Sequence, residues 1–274
     1  MKLFSLLRES LAKHDAVWVI VTRTQGSVPR DAGTWMAVFA DHLVGTIGGG
    51  HLEHQAVALA RQVLAGTAAC PSEQTVPLGP SLGQCCGGVV QLSYQRITHA
   101  DLAALTPRLQ PVREPVALFG GGHVGRALVQ VLSHLPFALR WIDSRDEVFP
   151  THLPDNVTSE HADPVQSAVA DLAPHSLVLI MSFSHAEDLD ILAACLKRQQ
   201  TLGDLPYIGL IGSATKWAKF RHRLQARGFS EQDLAWVTTP IGLPTIQSKS
   251  PEVIAVSVAA QLLSLPHRGR SNTA

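Results

Sequence analysis

The chain has 274 residues, enough for two domains or one large one, and 46% of them are hydrophobic against 16% charged, a balance that excludes disordered and fibrous classes. Its 22 basic and 22 acidic side chains cancel, so no summed field holds nucleic acid or an anionic membrane surface. No apolar run approaches the roughly 20 residues that span a bilayer, and charges interrupt the opening segment before a signal-peptide core can form, so a cytoplasmic location is expected.

Leu3, Leu6, Leu7 and Leu11 recur at helical spacing, which predicts a short opening helix. Ala16 to Thr22 reads as a buried strand, Gln25 to Gly33 as a loop, and Thr34 to Ala40 with Leu43 to Thr46 as a hairpin turning at Asp41-His42. After Gly48 to Gly50, the stripe Leu52, Ala56, Leu59, Ala60 and Val63 predicts a helix packed on a sheet. The glycine-rich Leu78 to Gly88 leads into the alternating strand Val89 to Tyr94. Prolines and polar residues then mark a boundary, giving a first domain over 1–96, a linker over 97–114 and a second domain over 115–274.

From Pro115 strands and helices alternate: Val116 to Phe119, a helix from His123, Ala138 to Ile142, a helix start at Asp163-Pro164, and Leu177 to Met181. A helix from Ser184, the strand Tyr207 to Ile211 and a helix from Ala214 to Arg227 continue the run. The expected fold class is α/β: a C-terminal Rossmann-like doubly wound parallel sheet with a smaller N-terminal α/β (α+β) domain. Asp163-Pro164 and Ser250-Pro251 each set a capping side chain before a proline at the first helical position.

Gly120-Gly-Gly122-His-Val-Gly125 follows a predicted strand, opens a predicted helix and precedes Asp143 at the next strand's end, the context of a dinucleotide-binding loop. Gly120 permits the turn, Gly122 a close phosphate and Gly125 close helix–strand packing. Asp143 suits ribose hydroxyls and Arg145 a phosphate, so the nucleotide stays open. The loops Ser182-Phe-Ser-His185 and Gly212-Ser-Ala-Thr-Lys216 belong at the same crevice. Ser184 with Glu187 fits a capping box, and His185 and Lys216 fit solvated helix-start residues.

Of four cysteines, Cys70, Cys85, Cys86 and Cys195, none makes a Cys-x-x-Cys pair, so neither a disulfide framework nor a thiolate zinc site is indicated. Leu82-Gly-Gln84-Cys85-Cys86-Gly-Gly88 sets two soft sulfurs on a glycine-rich turn, where backbone amides favour thiolates; this suits sulfur chemistry or a soft metal, with Cys85 and Cys86 as metal ligands. Arg30 and Glu53, on loops after strands, are placed to clamp a polar heterocycle carrying phosphate. His51 and His54 make half a metal site at most, and solvated histidines account for them. The Gly79-Pro-Ser-Leu-Gly83 match to a serine-hydrolase elbow fails because no helix can follow it, and no catalytic residue is assigned.

Together, Gly26-Ser-Val-Pro-Arg30, Gly45-Thr-Ile-Gly-Gly-Gly-His-Leu-Glu53, Gly83-Gln-Cys-Cys-Gly-Gly88, the Phe119 to Gly125 loop and Asp143-Ser-Arg145 resemble the XdhC/CoxI family. Ser184 to Asp190, Tyr207 to Ser213 with Lys216, and Pro240 to Leu243 with Ser250-Pro251-Glu252 extend the likeness through nearly the whole chain. Pro244 to Ser248 departs from it. The resemblance implies an accessory protein, not an enzyme, that binds molybdenum cofactor, a pterin dithiolene with a terminal phosphate. It implies protection of the cofactor while a cysteine desulfurase exchanges an oxo for a sulfido ligand, then insertion into apo xanthine dehydrogenase or a related molybdenum hydroxylase. The cofactor-binding set it implies is Gly48, Gly49, Gly50, Glu53, Gln84, Cys85, Cys86, Gly120, Gly122, Gly125 and Asp143. A homodimer is compatible with the sequence. The competing reading is an NAD(P)-dependent oxidoreductase, which NADH binding separates from the first.

Overall fold

The computed structural model describes residues 2–78, 87–109 and 113–266, and they form two units, Met1–Gln110 and Pro111–Ala274. Among the described residues no helix is long and apolar enough to cross a membrane.

The first unit is built on a five-stranded antiparallel sheet. Its strands are β1 (Ala16–Gln25), β2 (Trp35–Val38), β3 (Leu43–Gly45), β4 (Glu73–Pro77) and β5 (Val89–Ile97), in the order β3-β2-β1-β5-β4. Central β1 is apolar on both faces because both are covered. Val17, Val19 and Val21 pack toward α2 (Gly50–Leu64), while Ala16 and Trp18 pack with α1 (Lys2–Leu11) and α3 (Leu102–Leu109). The hairpin is present, with Val38 opposite Leu43. In α1 the buried stripe is Leu7 and Leu11 with Phe4 partly covered, and Leu3 and Leu6, one residue off it, are exposed.

The segment read as a linker is mostly structure of the first unit. β5 runs on to Ile97, Thr98 and Asp101 form a capping box, and α3 sends Leu105 and Leu109 into the core that holds Leu7 and Leu11. Pro107, one of the two prolines that with the polar residues suggest a boundary, lies inside α3.

The second unit is a six-stranded parallel sheet. In chain order its strands are β6 (Glu114–Phe119), β7 (Phe137–Asp143), β8 (Val157–His161), β9 (Leu177–Ile180), β10 (Tyr207–Leu210) and β11 (Val237–Thr238). Their order β11-β10-β9-β6-β7-β8 is the doubly wound arrangement whose switch point lies between β6 and β9. The helices α4 (His123–Leu132) and α8 (Pro251–Leu263) cover one face. On the other lie α5 (His185–Leu202), α6 (Ala214–Ala226) and the short α7 (Glu231–Leu234).

Two helix starts differ from expectation. The Asp163-Pro164 bond is cis and leads into a 3-10 helix, Val165–Val169, that has no side-chain cap. Ser250 does precede Pro251 at the start of α8, but its hydroxyl donates to Glu252 at 2.5 Å instead of capping.

Candidate functional site

Each unit gathers glycine-rich loops at one end of its sheet. In the first, a Cβ on Gly48 would press on Pro29 and Arg30, at 3.0 and 3.1 Å. A Cβ on Gly26 would stand 3.2 Å from Gly88, and one on Gly88 would strike the carbonyls of Ser27 and Gln25. The loop Gly26–Arg30 therefore touches both Gly48 and Gly88, as closely as backbone without side chains allows. Leu78 donates to the Gly88 carbonyl at 2.7 Å, which ties the end of the strand at Pro77 to this cluster.

Glu53 organises the glycine turn from the first turn of α2. Its Oε2 accepts from the Thr46 hydroxyl (2.5 Å), the Ile47 amide (3.0 Å) and the Gly49 amide (3.1 Å). Gly48, Gly49 and Gly50 have φ of 120°, 75° and 65°, a run that only glycine adopts without strain. Gly49 is the N-cap of α2, has no side chain to cap it, and faces open space where a Cβ would be. Arg30 stands exposed at the rim.

In the second unit the loop from β6 to α4 sits at the switch point. A Cβ on Gly120 would collide with the Met181 carbonyl and one on Gly125 with the Gly120 carbonyl, so these two glycines lock the loop to β9 and to itself. The buried Trp141 indole donates to the Gly120 carbonyl at 2.9 Å. Gly122 alone of the three fingerprint glycines faces open space.

Asp143, at the end of β7 and 2% exposed, is occupied by the protein. Oδ1 accepts from the Arg145 amide and Nε at 2.9 Å each; Oδ2 accepts from the Gly121 amide at 2.5 Å and from Arg145 Nη2 at 3.0 Å. Burial pushes its carboxyl upward, but the Arg145 hydrogen bonds and charge with the two amides outweigh this and hold it below the usual carboxylate range. The Arg145 guanidinium lies 4.3 Å above the Phe183 ring.

Glu187 does not close a capping box on Ser184. Ser184 accepts from the Glu187 amide at 3.2 Å, but the Glu187 carboxylate turns to the Ser144 hydroxyl (2.8 Å) and the Phe183 amide (3.2 Å). Lys216 is not solvated either: Nζ reaches Asp188 at 2.6 Å and the Ile211 carbonyl at 2.8 Å, and Asp188 also accepts from the Ser182 amide and hydroxyl. A Cβ on Gly212 would stand 2.7 Å from Lys216 Cδ, so the glycine clears its path.

The XdhC Rossmann-domain family matches residues 116–262, and the XdhC and CoxI family matches residues 11–73. The chain belongs to the XdhC and CoxI family. A curated Escherichia coli protein, uncharacterized protein YqeB, is 27% identical over 257 residues, which are 89% of this chain and 42% of that protein. The chain thus spans less than half the length of that relative. A crystal structure described as a xanthine dehydrogenase from Bacillus halodurans superposes with a TM-score of 0.76 over 96% of this chain and 95% of that one, at 21% identity, and so has the same fold.

Within this XdhC chain the expected binding residues fall into three groups. Gly48, Gly50, Glu53, Gly120, Gly125 and Asp143 have internal work, as turn formers, loop ties or ion-pair partners. Gly49 and Gly122 face open space where a Cβ would be, although the Gly49 amide is already donated to Glu53. Gln84, Cys85 and Cys86 lie outside the described residues. His51 and His54 stack at 6.4 Å between ring centroids, and no metal-holding group of three or more His, Cys, Asp or Glu exists among the described residues. Thr46, Ser144, Phe183 and Asp188 lie within segments the sequence marks out but have no individual role there; for Phe183 the signal is its place in the Ser182–His185 loop expected at the crevice.

Proposed function

We propose that this XdhC-family protein is an accessory factor in maturation of xanthine dehydrogenase or a related molybdenum hydroxylase, holding molybdenum cofactor without turnover of its own. The observation that carries this reading is the contact of the Gly26–Arg30 loop with both Gly48 and Gly88, the second of which lies two residues after Cys86 in the sequence. Of the described residues, the exposed Arg30 guanidinium beside Gly48 fits a polar or anionic group of such a cofactor, and the missing side chain of Gly49 leaves room for its approach. When bound, the cofactor supplies a molybdenum centre with an exchangeable oxo ligand. The chain's own part is to keep the glycine turn rigid through Glu53, to offer the Arg30 guanidinium to a polar group of the cofactor, and to offer the Cys85 and Cys86 thiols as soft ligands. A cysteine desulfurase and the apo-hydroxylase are the partners this role calls for.

The test is the molybdenum and pterin content of protein purified from cells that make the cofactor, followed by activation of apo-hydroxylase. Wild type is expected to carry both in near-equal amounts to protein. The Cys85→Ser, Cys86→Ser double variant is expected to lose retention or delivery at unchanged melting temperature. Absence of metal and pterin from wild type, or steady-state oxidation of a purine or aldehyde by the isolated chain, overturns the reading.

A further inference from the structure

The crevice of the second unit presents donors where a dinucleotide site usually presents an acceptor. A carboxylate has about four lone-pair positions, and in Asp143 four donors fill them: the Gly121 and Arg145 amides with Arg145 Nε and Nη2. A ribose diol arriving here has to displace one of these charge-assisted bonds from a buried carboxylate. Arg145, by contrast, spends only one hydrogen of Nε and one of Nη2, and its side chain is 29% exposed. Nη1 and the second Nη2 hydrogen have no protein acceptor among the described residues.

Neighbouring groups hold this guanidinium at the crevice. β7 and β9 flank β6, and the loops that follow them reach each other across its end, through Ser144 to Glu187 at 2.8 Å and Arg145 over Phe183 at 4.3 Å. Phe183 is 66% exposed although Arg145 stands over its ring, so part of the ring is open to a ligand. Gly122, between the two loops in the sheet order, leaves open space. The groups offered to a ligand are therefore a fixed cation with spare hydrogens, an exposed aromatic ring and an open glycine.

We propose that Arg145 makes this crevice selective for ligands that carry a phosphate monoester next to a planar heterocycle, and that the Asp143–Arg145 pair refuses the unphosphorylated ribose diol. A monoester dianion accepts hydrogen bonds from the spare guanidinium edge without disturbing Asp143, and the heterocycle has the Phe183 ring for contact. Two sources share this chemistry, the 2′-phosphate of an NADPH-type dinucleotide and the terminal phosphate of a pterin. The inference stands on second-unit residues alone, so its failure leaves the first-unit reading to be judged by metal and pterin content.

Calorimetric titration of the full chain with NADPH against NADH, and dihydroneopterin phosphate against dihydroneopterin, tests it and separates the sources. At least one phosphorylated ligand is expected to bind at least about tenfold tighter than its unphosphorylated counterpart. Arg145→Gln is expected to bring that ratio close to one. Arg145→Lys keeps the charge opposite Asp143 but not the fork, and is expected to lower the ratio about threefold or more. Equal affinity within both pairs, no binding of any of the four, or a wild-type ratio in a variant with a native melting temperature overturns the proposal. If the Gln variant does not fold, the Lys variant decides.

Discussion

Lys216 Nζ lies 2.6 Å from the carboxylate of Asp188, and both side chains are withdrawn from solvent at the carboxyl ends of β9 and β10. The pair ties α6 to the start of α5, and through Ser182 it fixes the loop that carries Phe183. Removing one partner of a buried pair strands the other's charge. Lys216→Met is therefore expected to cost about 3–5 kcal/mol, and the double change with Asp188→Asn to recover part of that. Urea unfolding of Lys216→Met, Asp188→Asn and the double variant measures it; a single variant as stable as wild type would show the pair to be idle.

Asp143 makes stability depend on acid. Its carboxyl titrates lower in the folded chain than in the unfolded one, so the charged form contributes stability that is complete above about pH 4, the unfolded value. That contribution fades as pH falls through the lower folded value. Asp143→Asn is thus expected to be less stable than wild type at pH 7 by an amount that holds down to about pH 5 and shrinks below pH 4. A gap that stayed constant to the acid limit would contradict this assignment.

The fingerprint glycines separate by what surrounds them. A methyl group on Gly125 meets the Gly120 carbonyl, whereas Gly122, with φ of −72°, has open space around it. Gly125→Ala is expected to cost at least about 2 kcal/mol, and Gly122→Ala less than about 1 kcal/mol, the loss of a tolerated N-cap residue. Thermal melts rank them, and the reverse order would mean that the loop is held by something other than backbone contact.

Burial pushes the Cys195 thiol up to about 12, only partly countered by Arg198, so at pH 8 it is neutral as well as enclosed. Cys70 is exposed. Alkylation of native protein followed by peptide mass analysis should find Cys70 modified within minutes and Cys195 only after denaturant is added. Prompt labelling of Cys195 would mean that α5 opens locally.

The βα alternation from Pro115, the hairpin at Asp41-His42 and the stripe of α2 were legible in the sequence because hydrophobic period and glycine placement are local properties. β4 and β8 were not, since edge strands with the sequences EQTVP and VTSEH bury too little on either face to show a period. α3 escaped for its internal proline, although its leucines complete the core of the first unit.

By itself the sequence determined the two-part α/β architecture, the family, and which loops would gather at the strand ends. Only the tertiary structure decided what the polar residues on those loops do. Asp143 and Arg145, two residues apart, read as alternatives for a ribose or a phosphate, and the fold joins them to each other and to the Gly121 amide. Lys216 read as a solvated helix-start cation, and α5 brings Asp188 up to it. The physical reason is that a side chain's type announces which bonds it can make, whereas its partner is set by which strands lie side by side. In this sheet β9 and β6 are neighbours although residues 120–176 separate them in the chain.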